Sequence, residues 1–324
     1  MLDDIGFYTL TERRAKNGRQ DSRLMRAELL LSARCNFHCP YCRGVGGPDM
    51  GFEQATALLQ DWIDDDLFAV RLSGGEPLLY KRLPELVRQA RDGGITWRAV
   101  STNGSAPLRK YLELLDAGVN DFSISLDACC AADGDRMAGI RGLWGRVVQN
   151  IRDLSARTYV TVGVVLTEEN GAKVSDIIDF AAGLGVSDIR VIPAAQHGAM
   201  LPKVEAAPEL LARLPLLRYR LDNLSHGRTV RGLVETDSRR CGLAMDDLAV
   251  CESKHYPCII YLREGGEPIG DVAGPVRRER ADWSRMHDTH ADPICSKNCL
   301  DVCVAFNNAR ASYNLVNPTT PDSK

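Results

Sequence analysis

Short apolar runs alternate with amphipathic segments over the first two thirds of this chain. Residues 27–31 are rich in leucine and predict a strand, whereas residues 52–67 repeat apolar side chains at helical spacing. The same alternation continues to about residue 196. Further strands are predicted at 68–72, 97–101, 121–126, 160–166 and 188–192, and further helices at 83–91, 108–117, 144–154 and 174–184. Six βα units of this kind predict an α/β fold with a parallel sheet, whose ligands bind at the carboxyl ends of the strands.

The pattern changes on either side of this region. Residues 1–23 are polar and mixed in charge, which predicts a solvated lead-in to a domain at 24–200. Three prolines and a leucine-rich helix near 210–221 predict a bridge at 201–234. A smaller cysteine-rich α+β domain is expected at 235–312, followed by a tail at 313–324.

Composition and charge narrow the class of protein. Of the 324 residues 44% are hydrophobic, which is typical of a globular protein, and the formal net charge of −3 gives no global basic field. Nucleic acid is therefore not an expected partner. No apolar run approaches the length of a membrane span, and the N-terminus lacks a secretory pattern, so we expect no membrane contact and a cytoplasmic location. Eleven cysteines in such a chain indicate metal or redox chemistry, because disulfides rarely persist in a reducing compartment.

Three of these cysteines form the segment CNFHCPYC, residues 35–42, which we call the cysteine loop. Cys35, Cys39 and Cys42 directly follow a predicted strand, so the loop can turn three thiolates towards one centre. Structural zinc sites use four ligands, and His38 lies too close in sequence to converge easily as the fourth. Thiolates also hold iron–sulfur clusters, and a cluster with one open position can bind something else.

The Cys-x-x-x-Cys-x-x-Cys spacing, with Tyr41 before the last cysteine, resembles the signature of the radical S-adenosylmethionine (radical SAM) superfamily. The segment Gly74-Gly75-Glu76-Pro77, at the end of the next predicted strand, resembles that family's GGE motif. The resemblance implies an open, partial (β/α)6 TIM barrel. It also implies a [4Fe–4S] cluster on the three thiolates and S-adenosylmethionine chelated to the fourth iron, with the cofactor's amino group held at the GGE motif.

Further cofactor contacts follow from the resemblance by position. Ser101 and Asn103 end the third predicted strand, Ser125 and Asp127 end the fourth, and Asn170 follows the fifth. Arg141, in RGLWGRV, resembles an arginine that contacts the cofactor in related enzymes. Each residue also has an ordinary explanation, since Asn103-Gly104 is a common turn, Asp127 and Asn170 are helix-capping types, and an arginine is often a surface charge.

Six cysteines lie between residues 241 and 303, which we call the distal cysteines. We expect Cys258 to open a β-hairpin, and the spacing of the last three places them on one face of a helix or tight turn. The region resembles the SPASM or twitch domains of radical SAM enzymes, although the spacing departs from theirs. Six thiols are too few for two four-iron clusters, so one auxiliary [4Fe–4S] cluster is expected; zinc is the alternative. The favoured ligands are Cys241, Cys258, Cys299 and Cys303, with Cys295 as the nearest substitute.

The resemblance implies an oxidoreductase or epimerase that cleaves S-adenosylmethionine to a 5′-deoxyadenosyl radical, with an external electron donor such as flavodoxin or ferredoxin. The radical takes hydrogen from the substrate, and the outcome is oxidation, C–C bond formation or epimerisation. Cys251 is the candidate hydrogen donor if the reaction is an epimerisation. A small polar substrate such as a sugar, cyclitol or nucleoside of a biosynthetic pathway is preferred, because no leader-binding domain is evident before the barrel. A peptide-modifying enzyme, an RNA-modifying enzyme and a non-catalytic zinc or iron–sulfur protein are the alternatives. The related molybdopterin cyclases are disfavoured because the chain ends without their Gly-Gly and the distal cysteines differ.

Overall fold

The structure, a computed structural model, describes residues 10–17, 23–197 and 204–316. One mixed sheet runs through the molecule. Its strands are β1 (Arg26–Ser32), β2 (Ala69–Gly74), β3 (Trp97–Thr102), β4 (Asp121–Ser125), β5 (Tyr159–Leu166), β6 (Asp188–Pro193), β7 (Asp247–Cys251), β8 (Lys254–Tyr256) and β9 (Gly270–Asp271). The helices are α1 (Glu12–Asn17), α2 (Phe52–Asp64), α3 (Leu83–Asp92), α4 (Leu108–Ala117), α5 (Ala131–Ala138), α6 (Trp144–Ser155), α7 (Val174–Ala182), α8 (Pro208–Arg213), α9 (Pro215–Ser225), α10 (Ile259–Arg263), α11 (Val276–Met286), α12 (Pro293–Asn298) and α13 (Asp301–Val316).

The strand order is β6-β5-β4-β3-β2-β1-β7-β8-β9, so the sheet is open. Strands β1 to β6 are all parallel, as the six βα units predict, and the partial (β/α)6 barrel is confirmed. Strand β7 extends the sheet by pairing in parallel with β1, and the hairpin of β8 and β9 completes it. The C-terminal region is therefore joined to the barrel by main-chain hydrogen bonds as well as by the linking chain.

Alternate residues of each barrel strand point to opposite faces of the sheet. On β1, Leu29 and Leu31 are fully buried in the main core with the helices, whereas Glu28 lies on the inner face. The same alternation puts charged and polar side chains inside the barrel, which we call the lumen. The lumen residues at mid-strand are Arg26, Glu28, Arg71, Ser73, Ser101, Ser123 and Arg190. The barrel interior is thus polar, because its apolar faces are used against the helices.

Three predicted elements differ from the structure. The described part of the lead-in is solvated on one side only, because Arg13 and Lys16 are exposed whereas Leu10 (5% exposed) and Ala15 (1%) pack in a core that includes α13. The apolar run after Cys258 forms helix α10 and not a hairpin strand; short apolar runs do not distinguish the two, and the Cys258 thiol caps the helix by accepting from Tyr261 N at 3.4 Å. The bridging helix is divided at Pro215 into α8 and α9.

The boundaries at 201–234, 235–312 and 313–324 remain predictions. Residues 201–203 and 317–324 lie outside the described part of the chain.

Within the described ranges, no helix combines the length and apolar character that crossing a bilayer requires. The arginine-rich helix α11 does not form an open basic face. Arg280 is buried and donates to Asp247 O at 2.7 Å, Arg277 pairs with Asp65 at 3.0 Å, and Arg285 lies beside Asp282.

Candidate functional site

A deep cleft lies over the carboxyl ends of the barrel strands and is closed on one side by α10 and the start of α13. It adjoins the lumen described above. Most of the candidate site residues line it: Cys35, Cys39, Tyr41, Cys42, Gly74, Gly75, Ser101, Asn103, Ser125 and Asp127. These residues are up to 92 positions apart in sequence. They converge because the carboxyl ends of parallel strands lie at the same edge of the sheet.

Main-chain contacts fix the start of the cysteine loop against the GGE segment. Gly75 N donates to Ser32 O at 2.6 Å, and Glu76 N donates to Arg34 O at 2.8 Å. A Cβ atom on Gly75 would lie 2.3 Å from Arg34 O, and one on Gly74, at φ +140°, would lie 2.3 Å from Ser32 O. Both glycines are thus required by the close approach of the chain that leads into Cys35, in addition to lining the cleft.

Asn103 contacts the cysteine loop directly. Its Nδ2 donates to Asn36 Oδ1 at 2.9 Å and lies 3.8 Å from the sulfur of Cys35. Asn36 in turn donates to Ser105 Oγ at 2.9 Å. The turn after β3 therefore positions the first thiol, a role that the sequence pattern did not distinguish from cofactor contact.

Glu76 is buried and does not line the cleft. Its carboxylate accepts from Thr102 Oγ1 at 2.8 Å, Asn103 N at 2.8 Å and Leu78 N at 3.1 Å. Burial raises the pKa of this carboxyl group. In this arrangement Glu76 joins the ends of β2 and β3, and three of the roughly four acceptor sites of its carboxylate are already used.

Tyr41 and Asp127 connect the cysteine loop to β4. The Tyr41 hydroxyl donates to the Asp127 carboxylate, whose other oxygen accepts from Val165 N at 2.6 Å. Burial raises the pKa of Asp127 to about 6. Asn170 lies behind this pair, where its amide donates to Asp127 O at 3.0 Å and Val165 O at 2.9 Å. Asn170 is thus a buried turn residue, placed to support Asp127 and not to touch a cofactor.

Two further candidates lie away from the cleft. Arg141 is exposed and is absent from the cleft wall, which matches its interpretation as a surface charge. Cys251 ends β7 in a small apolar cluster with Leu30, Tyr256 and Ile259. A hydrogen donor must reach the substrate, so the structure does not place Cys251 for that role.

The thiols of the cysteine loop have the chemistry that a metal cluster needs. Burial raises the pKa of Cys39 to about 12 and also raises the pKa of Cys35, and the nearby Cys42 adds to both shifts. Thiols whose pKa is raised in this way lose their protons when a bound cation compensates the negative charge of the thiolates. His38 is exposed and its backbone N donates to Ala138 O at 2.9 Å, so the three sulfurs alone face the cleft. The residues therefore fit a cluster with three protein ligands.

Five of the six distal cysteines surround a second cavity, which we call the thiol cavity: Cys241, Cys258, Cys295, Cys299 and Cys303. Burial raises the pKa of Cys258 to about 12, and burial together with the neighbouring thiols raises the pKa of Cys299 and Cys303 well above the ordinary value. Such a group fits an auxiliary cluster or a zinc ion. Cys251 is the one distal cysteine that lies outside it.

Cys295 differs from the other four thiols in its surroundings. Its sulfur lies 3.8 Å from His287 Nε2, and His287 lies 3.3 Å from an Asp292 oxygen. Asp292 caps α12 and accepts from Tyr261 OH at 3.0 Å. The structure therefore offers five thiols where a cluster uses four, and Cys295 is the one that lies in a group with an imidazole and a carboxylate.

Cys258 and Cys303 line both the thiol cavity and the cleft. The two cavities also share Ile260 and Leu300. A group bound among the distal thiols would therefore lie directly beside whatever occupies the cleft.

The sequence interpretation missed the arginines of the cleft. Arg71 and Arg190 interrupt buried strands at inward positions, Arg231 lies on the linker, and Arg263 donates to Gly74 O at 3.0 Å. A charged residue in the middle of a parallel strand, where apolar residues are usual, is the signal that could have revealed the first two.

The sequence and fold match known proteins in the same region. The model of the radical SAM superfamily matches residues 29–181. Residues 29–181 therefore form a radical SAM domain. A domain of this superfamily implies a [4Fe–4S] cluster and S-adenosylmethionine as cofactors.

Curated relatives point to cyclases. The chain is 30% identical over 177 residues to the GTP 3′,8-cyclase of Xanthomonas axonopodis pv. citri, covering 50% of this chain and 48% of that protein. It is 27% identical over 208 residues to the PqqA peptide cyclase of Rhodopseudomonas palustris, covering 60% of this chain and 55% of that protein. The chain spans about half the length of the curated relatives it matches.

Solved structures share the fold over more of the chain. Streptococcus suis SuiB has a TM-score of 0.58 at 14% identity, covering 85% of this chain and 67% of that one. The protein anSMEcpe with bound AdoMet has a TM-score of 0.56 at 14% identity, covering 90% and 93%. At this identity the likeness shows the fold alone.

These matches correct one expectation. The preferred sugar, cyclitol or nucleoside modification is wrong, because the curated relatives are GTP 3′,8-cyclases and a PqqA peptide cyclase. The peptide-modifying alternative is the one with partial support. The oxidoreductase or epimerase type is not supported by the relatives, which are cyclases.

Proposed function

We propose that this protein is a peptide-modifying radical SAM enzyme that forms an intramolecular bond in its substrate. The observation that carries this is the match with the PqqA peptide cyclase, which extends over 60% of the chain, whereas the matches with the GTP 3′,8-cyclases cited above cover 50%. When bound, the cluster and S-adenosylmethionine supply a 5′-deoxyadenosyl radical that takes hydrogen from a C–H bond.

The residues of this chain have separate tasks in that reaction. Cys35, Cys39 and Cys42 hold the cluster, and Asn103 and the two glycines of the GGE segment keep their loop in position. Ser101, Ser125 and Asp127 line the wall where the cofactor's ribose and carboxylate are expected. The substrate is proposed to bind in the lumen below these groups.

The shared wall of the two cavities supports bond formation. Closing a new bond from a substrate radical releases a proton and an electron, so an electron acceptor must lie close to the substrate. Cys258 and Cys303 border both the cleft and the thiol cavity, which makes the auxiliary group the proposed acceptor.

The experiment is an anaerobic incubation of the reconstituted protein with S-adenosylmethionine, dithionite and either the PqqA peptide of Rhodopseudomonas palustris or GTP. We expect 5′-deoxyadenosine in both cases and a peptide that has lost two hydrogen atoms, detected by mass spectrometry. Conversion of GTP with no change in the peptide would overturn the peptide assignment. Absence of 5′-deoxyadenosine despite an intact cluster would overturn the enzyme assignment altogether.

A further inference from the structure

Arg190 is a cation of the lumen with no carboxylate partner in the described ranges. Its Nη2 donates to Ser123 Oγ at 3.2 Å, while its Nε is buried and has no hydrogen-bond partner. Its register partner on β5 is Gly163, and a Cβ there would lie 3.4 Å from Arg190 Nη2. The missing side chain at Gly163 therefore leaves the space in which the guanidinium lies across β5 towards β4.

The other arginines on the lumen strands have carboxylate partners, and so has Arg220 of α9, which also lines the cleft. Their ion pairs are Arg26 with Asp247 at 2.6 Å, Arg71 with Asp121 at 3.3 Å and Arg220 with Asp301 at 3.5 Å. Withdrawing a cation from water without a counter-ion is costly, so a half-buried arginine of this kind is a candidate to bind an anionic group of a ligand.

A second arginine of the same kind lies nearer the rim. Arg231 donates from Nε to Pro193 O at 2.8 Å, its Nη1 is buried without a partner, and no carboxylate in the described ranges lies within ion-pair distance. Pro193 follows Arg190 by three residues on β6, or about 10 Å along the strand. Two guanidinium groups of the cleft thus lack both a carboxylate among the described residues and a partner for one buried nitrogen, one at the floor and one above it. Arg263 also has no carboxylate partner there, but it donates to the carbonyl oxygens of Arg43 and Gly74.

The charge around Arg190 fits a small anion. Burial lowers the pKa of Arg190, and the nearby Arg71 and Arg220 lower it further. Glu28 and Asp121, which do not contact the guanidinium, raise it. Glu28 is buried, accepts from Ser73 Oγ at 2.7 Å, and has no cation within ion-pair distance among the described residues. The floor therefore has one guanidinium group without a carboxylate partner among the described residues, whose charge a single carboxylate would neutralise.

We propose that Arg190 is a substrate-recognition residue that binds a single carboxylate, the side chain of a glutamate or aspartate in the peptide to be modified, and that Arg231 attracts the same acidic segment at the rim. A guanidinium matches a carboxylate in shape and can form two parallel hydrogen bonds with it. This inference rests on the proposed peptide function, whose substrate class it narrows to acidic peptides.

The test uses two pools of synthetic seven-residue peptides, identical except for glutamate or glutamine at the central position. Each pool is mixed with the anaerobically reconstituted holoenzyme and S-adenosylmethionine, and retained peptides are counted by mass spectrometry. We expect about tenfold preference for the glutamate pool. Arg190→Gln should abolish the preference, Arg190→Lys should retain part of it, and the exposed Arg152→Gln control should leave it unchanged.

The outcomes separate the two proposals. Equal retention of both pools by the wild type, or a preference that survives in Arg190→Gln, overturns the carboxylate site but leaves the peptide function intact. Retention of neither pool overturns both. GTP added as a third probe distinguishes the anion: if Arg190 is needed for GTP binding and GTP displaces the peptides, the ligand is a phosphate and the carboxylate assignment is wrong. If Arg190→Gln does not fold, the wild-type comparison and Arg190→Lys still decide the question.

Discussion

The side chain of Asn103 donates to that of Asn36 at 2.9 Å, across 67 positions of sequence, and the same amide nitrogen lies 3.8 Å from the sulfur of Cys35. A turn after the third strand thereby holds the loop that begins after the first. The position of the first cysteine is set by a neighbouring βα unit as well as by its own strand.

Replacing either asparagine should therefore loosen the loop through the same contact. We expect Asn36→Ala and Asn103→Ala each to lower the rate of 5′-deoxyadenosine formation, with a double mutant much less impaired than the sum of the two effects. The coupling should be about 1 kcal/mol, typical of one buried hydrogen bond. The exposed Gln149→Ala is the control. Fully additive losses would show that the two residues act separately.

Gly75→Ala should damage the cysteine loop selectively. The new Cβ would meet the carbonyl oxygens of Arg34 and Ala33 at 2.3 and 2.7 Å, and neither backbone atom can move without displacing Cys35. We expect a loss of about 1–3 kcal/mol in the free energy of unfolding and less iron at the first cluster.

The matched control is Gly145→Ala, in helix α6, where nothing lies within 4 Å of the added atom. That change should stabilise the protein by up to about 1 kcal/mol, since alanine favours a helix more than glycine does. Urea unfolding and iron analysis measure both variants. If the two alanines behave alike, the close approach at Gly75 is unimportant.

The distal thiols divide into those that line the thiol cavity and Cys251. We expect Cys303→Ser to lose the auxiliary iron and acid-labile sulfide, whereas Cys251→Ser keeps both. Iron and sulfide analysis after anaerobic reconstitution gives the answer. Iron loss in Cys251→Ser would place that thiol among the ligands, and zinc without sulfide in the wild type would replace the auxiliary cluster with a zinc site.

A buried carboxylate away from both cavities predicts a pH dependence of stability. Asp188 is 1% exposed, accepts from Leu216 N at 2.9 Å, and burial raises its pKa from 3.8 to about 6. The folded protein therefore holds a proton at pH values where the unfolded chain has lost it, so this group adds stability as the pH falls from about 6 to about 4.

Asp188→Asn should remove that dependence. Relative to the variant, the wild type should gain about 2–3 kcal/mol of unfolding free energy between pH 7 and about pH 4. The exposed Asp116→Asn controls for the loss of one negative charge. All three proteins contain the same clusters, so the effect of acid on the clusters cancels when their unfolding free energies are compared. Parallel curves for the wild type and Asp188→Asn would contradict the raised pKa.

Local pattern was enough to predict much of the barrel. The alternation at period two and the helical spacing depend on which side chains need burial, and neighbouring residues already show this need. Helix α4 has the predicted bounds, and most other barrel elements differ from the prediction by a few residues. The cysteine spacing and the GGE segment were likewise readable because their residues lie close together in sequence.

Other features depended on contacts that no local pattern contains. Helix α10 is formed by an apolar run that suits a strand equally well. The apolar side of the lead-in helix is covered by α13, which lies nearly 300 residues later in sequence. Cofactor contact by the strand-end residues remains a prediction. Only their partners in the structure separate Asn170 and Glu76, which are internally bonded, from Ser101 and Ser125, which line the cleft wall.

The sequence by itself determined the class of this protein, because three thiols at fixed spacing, a glycine pair at the next strand end and six βα units are short-range features. The tertiary structure alone decided that five distal thiols share one cavity, that two of them border the cleft, and that Arg190 has no counter-ion among the residues that the structure describes. These facts are relations between side chains from distant strands and helices, and packing creates them only after the sheet has brought those elements together.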